Sequence, residues 1–125
     1  MIPNHNGAAH LARLLPSIAA QSSAPSRVLV VDNHSTDDSR RVIAGAAEWL
    51  PLDRNYGFAV AINRGLATVG TEFVALVNSD VVLEPDWLSS LEEALSDPAV
   101  AFACPLLISG HDKRRIDGAW DLLSR

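Results

Sequence analysis

Apolar residues recur with a helical period in several stretches of the chain. Between residues 8 and 21 the spacing of leucine and isoleucine predicts an amphipathic helix, and Pro16 within it predicts a kink or a later start. Ser35 followed by acidic residues resembles a capping box, which predicts a second helix that continues to about Trp49. Both helices lie in the first half of the chain.

Two further helices are predicted in the second half. One runs over about 59–69 and is ended by Gly70, a residue type favoured at helix C-termini. The other follows Pro85, which suits the first helical turn, and it ends at Asp97. The apolar positions of this last helix share one face, where tryptophan is expected to be a core residue: Trp87, Leu88, Leu91 and Leu95.

Short apolar runs separate these helices and predict strands. The runs cover 27–31, 50–53, 73–77 and 99–108. Only Met1-Ile2-Pro3 precedes the first helix, so a first strand is expected to be nearly absent. Strands that alternate with helices predict right-handed crossovers and a parallel sheet. The predicted fold class is α/β, with one domain over 1–125 whose mainly parallel sheet is flanked by helices.

Composition narrows the class of protein. The 125 residues are 48% hydrophobic and 20% charged, as in ordinary globular domains. A net charge of −5 argues against nucleic acid or an anionic lipid surface as a general partner. Cys104 is the only cysteine, so an internal disulfide is excluded; it is expected to be a small buried hydrophobe and fits a reducing cytoplasm. The sequence contains no apolar segment long enough to span a bilayer.

Polar side chains follow two of the predicted strands at the point where each strand ends. Asp32 and Asn33 follow one apolar run, and Asn78 and Asp80 follow another. The carboxyl ends of parallel strands meet at one edge of a sheet, so these four residues and His5 are expected to share a crevice. In the alternative interpretation, the Asp and Asn residues only cap the helices that follow them.

The crevice lacks the glycine-rich sequences that bind phosphate in other α/β proteins. A diphosphate would therefore need a divalent cation, which prefers carboxylate oxygens such as those of Asp80. With one firm protein ligand, the cation would be shared between the protein and the substrate phosphates, as is usual for magnesium.

Four spaced motifs together resemble the family 2 glycosyltransferases of the GT-A fold, and in particular their rhamnosyltransferase-like branch. The resemblance covers nearly the whole chain in the right order. The motifs are Pro3-Asn4-His5-Asn6-Gly7, Val30-Val31-Asp32-Asn33 with His34-Ser35-Thr36-Asp37, Asn55-Tyr56-Gly57-Phe58-Ala59 with Asn63-Arg64-Gly65, and Leu76-Val77-Asn78-Ser79-Asp80.

The resemblance assigns roles in binding a nucleotide-diphosphate sugar. Pro3 and His5 occupy the loop that contacts the base, and His5 stands where an aromatic residue is common. Asp32 and Asn33 match the pair that reads the base and ribose, although many members have a second Asp in place of Asn33. Asn63 matches a helix position near the donor.

The last motif corresponds to the family's Asp-x-Asp sequence. The resemblance implies that Asp80 is the metal ligand, for Mg²⁺ or Mn²⁺, and that Asn78 lies nearer the sugar or ribose. The donor would be dTDP-, UDP- or GDP-linked. A location in the cytoplasm, with peripheral attachment to the inner face of the membrane as one alternative, is also expected.

The chain is shorter than the family's catalytic domains. The acceptor site and the general base, normally an acid, are expected in a second half that would begin near Arg125. The chain is therefore interpreted as the N-terminal donor-binding half, and exposed apolar surface would favour a homo-oligomer. No catalytic base is assigned.

Two alternatives to a transferase remain from the sequence alone. One is a nucleotide-sugar binder without turnover, because no base is available. The other is a phosphoacceptor signalling domain, which ranks low because the only lysine, Lys113, lies beyond a Gly-His-Asp turn. His10, His34 and His111 are expected to be solvated side chains rather than metal ligands.

Overall fold

The computed structural model of the chain describes residues 1–110, 112 and 114–118. Its strands are β1 (Ile2–Asn4), β2 (Leu29–Asp32), β3 (Glu48–Pro51), β4 (Leu107–Ile108) and β5 (Ile116–Gly118). Its helices are α1 (Ala8–Ala19), α2 (Ser39–Ile43), α3 (Phe58–Leu66) and α4 (Trp87–Leu95). None of the helices in these ranges is long and apolar enough to cross a membrane.

The first three strands form a parallel sheet with β2 in the centre. Asn4 of β1 lies opposite Asp32 of β2, which lies opposite Pro51 of β3. The predicted α/β class with a mainly parallel sheet is therefore confirmed. The first strand, expected to be nearly absent, forms over three residues and pairs along its whole length with β2.

The segment 73–77 lies along the free edge of β1 but is not a regular strand, so the strand prediction for it is wrong. Two backbone hydrogen bonds join it to the start of the chain: the amino nitrogen of Met1 donates to the carbonyl of Ala75 (2.8 Å), and the Val77 amide donates to the carbonyl of Met1 (3.0 Å). Val77 is buried, whereas Phe73 and Leu76 are more than half exposed. These two hydrogen bonds thus position residues 73–77 beside β1 without forming a regular ladder of strand hydrogen bonds.

Helices cover both faces of the sheet. On one face, α1 and α2 bury a core around β1 and the centre of β2. On the other face, α3 packs against the alternate residues of β2, with Val31 and Ala61 fully buried. This alternation follows from the period of two along a strand. The first face contains the larger cluster, which consists of Ile2, Leu11, Leu14, Leu15, Ile18, Val30, Ile43 and Val77.

Helix α2 is much shorter than the helix predicted from Ser35 to Trp49. It covers five residues, and its N-cap residue, Asp38, makes no side-chain cap hydrogen bond. The Ser35 hydroxyl is instead bonded to Asp32, Asn4 and the Asn6 amide, so it cannot serve as the expected cap. Gly45 has a φ of +80°, which breaks the helix before β3 begins.

Three other predictions need correction in the remainder of the chain. The run 99–108 forms a strand only at β4, which pairs antiparallel with β5. Cys104 is exposed rather than buried. Helix α3 ends with Ala67 at its C-cap, so Gly70 does not end it.

The predictions for α1 and α4 hold only in part, since α1 does not start late and no residue of α4 is buried. Pro16 lies inside α1, which begins at Ala8 and so does not start late. Trp87 is half-buried and packs against the larger core cluster. His111, Lys113 and residues 119–125 lie outside the described residues, so the predictions made for them are not addressed.

An aspartate from the β2–α2 loop holds the beginning of α1. Asp37 accepts a hydrogen bond from the Ala8 amide (2.9 Å) through one carboxylate oxygen. Its other oxygen accepts from the Ser39 amide (3.0 Å) and hydroxyl (2.5 Å). Burial by itself raises the pKa of Asp37, but the hydrogen bonds from Ser39 and Ala8 together lower it below its ordinary value. The carboxylate therefore joins two helices.

Replacing Leu14 with Ala is expected to lower the free energy of unfolding by about 2–5 kcal/mol, because the lost side chain leaves a cavity in the core. Leu14 is fully buried, whereas Leu66 of α3 is 40% exposed. Urea denaturation of Leu14→Ala and of the matched control Leu66→Ala measures the difference. Equal losses in the two variants would contradict the described core.

Replacing Asp37 with Asn is expected to lower the free energy of unfolding by about 1 kcal/mol at pH 7, since the amide nitrogen cannot accept from Ala8. The carboxylate's contribution is complete above its ordinary pKa of 3.8 and is lost as pH falls through the lower pKa of the folded state. The difference between wild type and variant should therefore shrink over that acidic range.

The matched control is Asp38→Asn, because Asp38 is an exposed neighbour whose side chain pairs with Arg41 on the surface. Denaturation followed as a function of pH compares the three proteins. A loss in Asp37→Asn that persists unchanged at the lowest pH would contradict the role of the carboxylate charge.

Candidate functional site

A cavity of about 420 Å³ opens at the carboxyl end of β1. Here the chain reverses its order across the sheet, since β2 lies on one side of β1 and the segment 73–77 on the other. Ligands of open α/β sheets bind at such reversal points. The cavity is lined by Pro3, His5, Asn6, Gly7, His10, Phe58, Asn78, Ser79 and Asp80.

Four of the seven site residues predicted from the sequence line this cavity: Pro3, His5, Asn78 and Asp80. The other three are not among the lining residues. Asp32 and Asn33 are buried at the end of β2, and Asn63 is exposed on α3.

Sequence reasoning missed several lining residues. His10 was expected to be a solvated side chain; it is exposed but lies on the cavity wall. Phe58 carried a signal, because it belongs to the third motif, but no role was assigned to it. The signal that could have found His10 is the helical period of α1, which places His10 beside the loop of His5.

Asp32 is used inside the protein. One carboxylate oxygen accepts hydrogen bonds from the Ser35 hydroxyl and the Asn4 amide (3.4 Å), and the other accepts from the Trp49 indole N–H (3.2 Å). Arg40 stacks on the outer face of Trp49, 4.6 Å from the ring centroid. The Asp32 carboxylate thus bonds side chains of β1, the β2–α2 loop and β3 among the described residues, and it does not cap α2 as the alternative interpretation expected.

Asn33 holds the loop before α3. Its side-chain amide donates to Asn55 Oδ1 (2.8 Å) and to the carbonyl of Gly57 (3.2 Å), and its Oδ1 accepts from the Tyr56 amide (2.8 Å). All the polar groups of this buried side chain are thus directed at one loop. Its backbone carbonyl lies 2.9 Å from His5 Nδ1 on the other side.

The ring of His5 has a defined proton arrangement. Because a carbonyl only accepts hydrogen bonds, Nδ1 must donate to Asn33. Nε2 then accepts from the side-chain amide of Asn6 (3.4 Å). Both ring nitrogens are therefore engaged with other residues of the protein.

The cavity floor depends on close backbone packing. A Cβ atom at Gly7 would lie 2.3 Å from Asn4 Oδ1 and 3.3 Å from Ser79 Oγ, so only glycine fits. Asn4 is 3% exposed and donates to the Ser39 hydroxyl (3.0 Å), while its Oδ1 has no partner among the described residues. Gly7 thus allows the loop after β1 to approach the segment that contains Asp80.

Oxygen donors collect on one wall of the cavity. Asn78, Ser79 and Asp80 contribute an amide, a hydroxyl and a carboxylate, which are the hard donors that Mg²⁺ and Mn²⁺ prefer. The described residues contain no group of three or more His, Cys, Asp or Glu that could hold a metal by themselves. These donors fit a cation that takes its remaining ligands from a bound phosphate and water.

Comparison with known proteins indicates the same family over nearly the whole chain. The model of the family described as glycosyl transferase family 2 matches residues 1–120. A pre-mycofactocin glycosyltransferase of Mycobacterium tuberculosis is 38% identical over 117 residues, which are 87% of this chain and 23% of that protein. An uncharacterised glycosyltransferase of Nostoc sp. is 33% identical over 121 residues, 90% of this chain and 38% of that protein. The chain thus spans less than two fifths of the length of these relatives.

Solved structures share the fold. The 1–349 fragment of TarS from S. aureus, crystallised with UDP, superposes with a TM-score of 0.70 at 25% identity over 78% of this chain and 31% of that fragment. Glucosyl-3-phosphoglycerate synthase of Mycobacterium tuberculosis, crystallised with Mn²⁺, UDP and glucosyl-3-phosphoglycerate, superposes with a TM-score of 0.65 at 22% identity. That likeness covers 75% of this chain and 37% of the synthase.

The parallel sheet, the cavity at its reversal point and the match of the family model over 1–120 agree with one another. The chain belongs to glycosyl transferase family 2 and has the GT-A fold.

Proposed function

We propose that this domain binds a nucleotide-diphosphate sugar together with a divalent cation, for transfer of the sugar to an acceptor. The observation that carries the proposal is the position of Asp80, which lines the cavity where the sheet order reverses. Membership of the family supports the transferase chemistry. The TarS fragment, which is 27% identical to this chain, was also crystallised with UDP-GlcNAc. A UDP-linked sugar is therefore the first donor to test. dTDP- and GDP-linked sugars are the alternatives.

The cation would be Mg²⁺ or Mn²⁺, held by Asp80 and by the phosphates of the donor. When bound, such a cation neutralises charge on the departing diphosphate. The chain's own residues bind and orient the donor in this proposal. Asn78 has an amide that can bond a sugar or ribose hydroxyl, and Ser79 adds a hydroxyl at the same wall.

A second function, binding without turnover, is favoured by one observation. Within the part of the chain that the structure describes, Asp80 is the only carboxylate that lines the cavity. If Asp80 holds the cation, no other acid there can deprotonate an acceptor hydroxyl. We propose that the general base of the transferase comes from additional polypeptide. A protein that only binds the donor would lack this base. Donor binding without any sugar transfer or hydrolysis by the full protein would favour the binder.

Association with a second copy is a further part of the proposal. Exposed apolar side chains lie on and near an open groove of about 810 Å³ beside α4 and the segment 73–77. Burying them would be favourable, and a second copy could do so. Additional polypeptide is the competing occupant. A monomeric sedimentation profile at high protein concentration would contradict a homodimer.

The location of the protein is proposed from the sequence alone. A cytoplasmic protein, with peripheral attachment at the inner face of the membrane as the alternative, fits a donor of this class. Fractionation of cells that express the full protein tests both.

Replacing Asp80 with Asn is expected to remove the Mn²⁺-dependent part of UDP binding, because the carboxylate charge that attracts the cation is lost while the shape is kept. Calorimetry of UDP with and without Mn²⁺ measures the effect, and at least a tenfold weaker affinity is expected only when Mn²⁺ is present.

The matched control is Asp97→Asn, the same substitution at an exposed acid outside the cavity. It should bind UDP and Mn²⁺ like the wild type. Unchanged Mn²⁺-dependent affinity in Asp80→Asn would refute the ligand role.

A further inference from the structure

The start of α4 is capped by a residue from a distant part of the chain. Asp86, at the N-cap of α4, makes no side-chain cap hydrogen bond. The Leu88 amide instead donates to Oε1 of Gln21, a residue that follows the end of α1 (2.9 Å). An N-cap side chain normally accepts from the second or third amide of a helix. Gln21 therefore supplies the hydrogen bond that the local residue does not make.

The amide nitrogen of the same side chain holds the loop before α4. It donates to the carbonyl of Glu84 (2.8 Å) and to the carbonyl of Ser17 inside α1 (3.1 Å). Gln21 thus uses both of its N–H bonds and its oxygen within the protein. A polar side chain that is satisfied in this way makes the surrounding structure more rigid.

Neighbouring residues of α1 add to the same junction. Ser17 Oγ accepts a hydrogen bond from the Leu83 amide (3.1 Å). The Ser22 amide donates to the carbonyl of Pro85 (2.8 Å). The loop that follows Asp80 is therefore attached to the end of α1 at three successive residues.

The cavity segment 78–80 has no such attachment of its own. Its side chains make no hydrogen bond to any other residue in the part of the chain that the structure describes. Before the segment, the Val77 amide is bonded to the carbonyl of Met1, and after it, the Leu83 amide is bonded to α1. The place of the segment is thus set by its two attached ends and by the packing of Val81 against the core.

Helix α1 contributes to the cavity at both of its ends. Gly7 at its N-cap and His10 in its first turn line the cavity directly. The other end of α1 holds the loop that follows the cavity segment. Sites that are held by a regular helix are positioned more precisely than sites on loops alone. The two parts of the cavity lining are therefore referred to one helix.

We propose that Gln21 is a positioning residue for the cation ligand Asp80, because it fixes the loop that follows Asp80 and thereby the place of the carboxylate in the cavity. The inference deepens the proposed function and rests on it. Gln21 is not among the residues that line the cavity, so it acts without touching donor or cation. Removing a group that orients a metal ligand from outside the site costs about 10–100-fold in metal affinity. Since Gln21 acts through the loop backbone, the effect should lie at the lower end of that range.

The experiment measures what the cation adds to donor binding. UDP is titrated into the protein with and without Mn²⁺, and the ratio of the two affinities is compared among variants. Gln21→Met keeps the length of the side chain but removes its three hydrogen bonds. The ratio should fall about tenfold, whereas the affinity without Mn²⁺ should not change. Amide exchange at Leu88 should become faster, because its acceptor is lost.

Gln21→Glu separates the two parts of the side chain and remains usable if Gln21→Met does not fold. A carboxylate can still accept from the Leu88 amide, but it cannot donate to the carbonyls of Glu84 and Ser17. The ratio should fall as in Gln21→Met, since the bond to the loop is lost. The Leu88 amide should remain protected from exchange.

Two controls distinguish positioning from a general structural role. Thr68→Val removes a hydroxyl that donates to the carbonyl of Gly65 (2.8 Å) at the end of α3, outside the cavity. It should leave both UDP affinities unchanged. In an Asp80→Asn background, Gln21→Met should cause no further loss of UDP affinity, because the group that Gln21 positions is absent.

The outcomes separate this inference from the proposed function. If the wild type binds UDP equally with and without Mn²⁺, the proposed cation site fails and the inference fails with it. If the wild type shows the gain and the Gln21 variants keep the same ratio, the positioning role alone is refuted. Equal weakening with and without Mn²⁺, or a further loss in the Asp80→Asn background, would also refute it, since either result indicates a general loss of structure.

Discussion

The parallel pairing of β1 with β2 is the interaction on which the rest of the structure depends. It sets Asn4 opposite Asp32, so two buried polar side chains meet at the end of the sheet and must find partners there. Unpaired polar groups in such a place would be costly. Ser35 of the β2–α2 loop and Ser39 at the start of α2 satisfy most of them, and this requirement fixes the loop that also holds α1. The cavity opens on the other side of the same strand end.

The residues around the cavity divide into those that line it and those that hold the lining in place. Asp80 and Asn78 face the cavity, whereas Asp32 and Asn33 lie beneath it with their side chains engaged. A ligand can be gripped precisely only if a buried layer of hydrogen bonds fixes the residues that touch it.

The sequence predicted the fold class and most of the elements, because apolar periodicity reports which faces are buried. It placed His5, Asn78 and Asp80 at one site, since parallel strands must end at one edge. It failed where one side chain had several uses. Nothing in the sequence near Ser35 shows that its hydroxyl bonds Asp32 rather than capping a helix. Which side chains turn inward at the end of β2 depends on tertiary partners such as Trp49, and a local pattern cannot show them.

The segment just before the proposed cation ligand, Asp80, is joined to the sheet by few backbone hydrogen bonds. Residues 73–77 are joined to the first residue by two backbone hydrogen bonds and form no ladder with β1. Segments with so few backbone bonds open at a lower free energy than the global unfolding of a domain. A donor and a cation that bind only when residues 73–77 are paired with the start of the chain would therefore stabilise that pairing. The amide exchange rates of residues 73–77 would then report whether donor and cation occupy the site, as directly as a measurement of catalysis does.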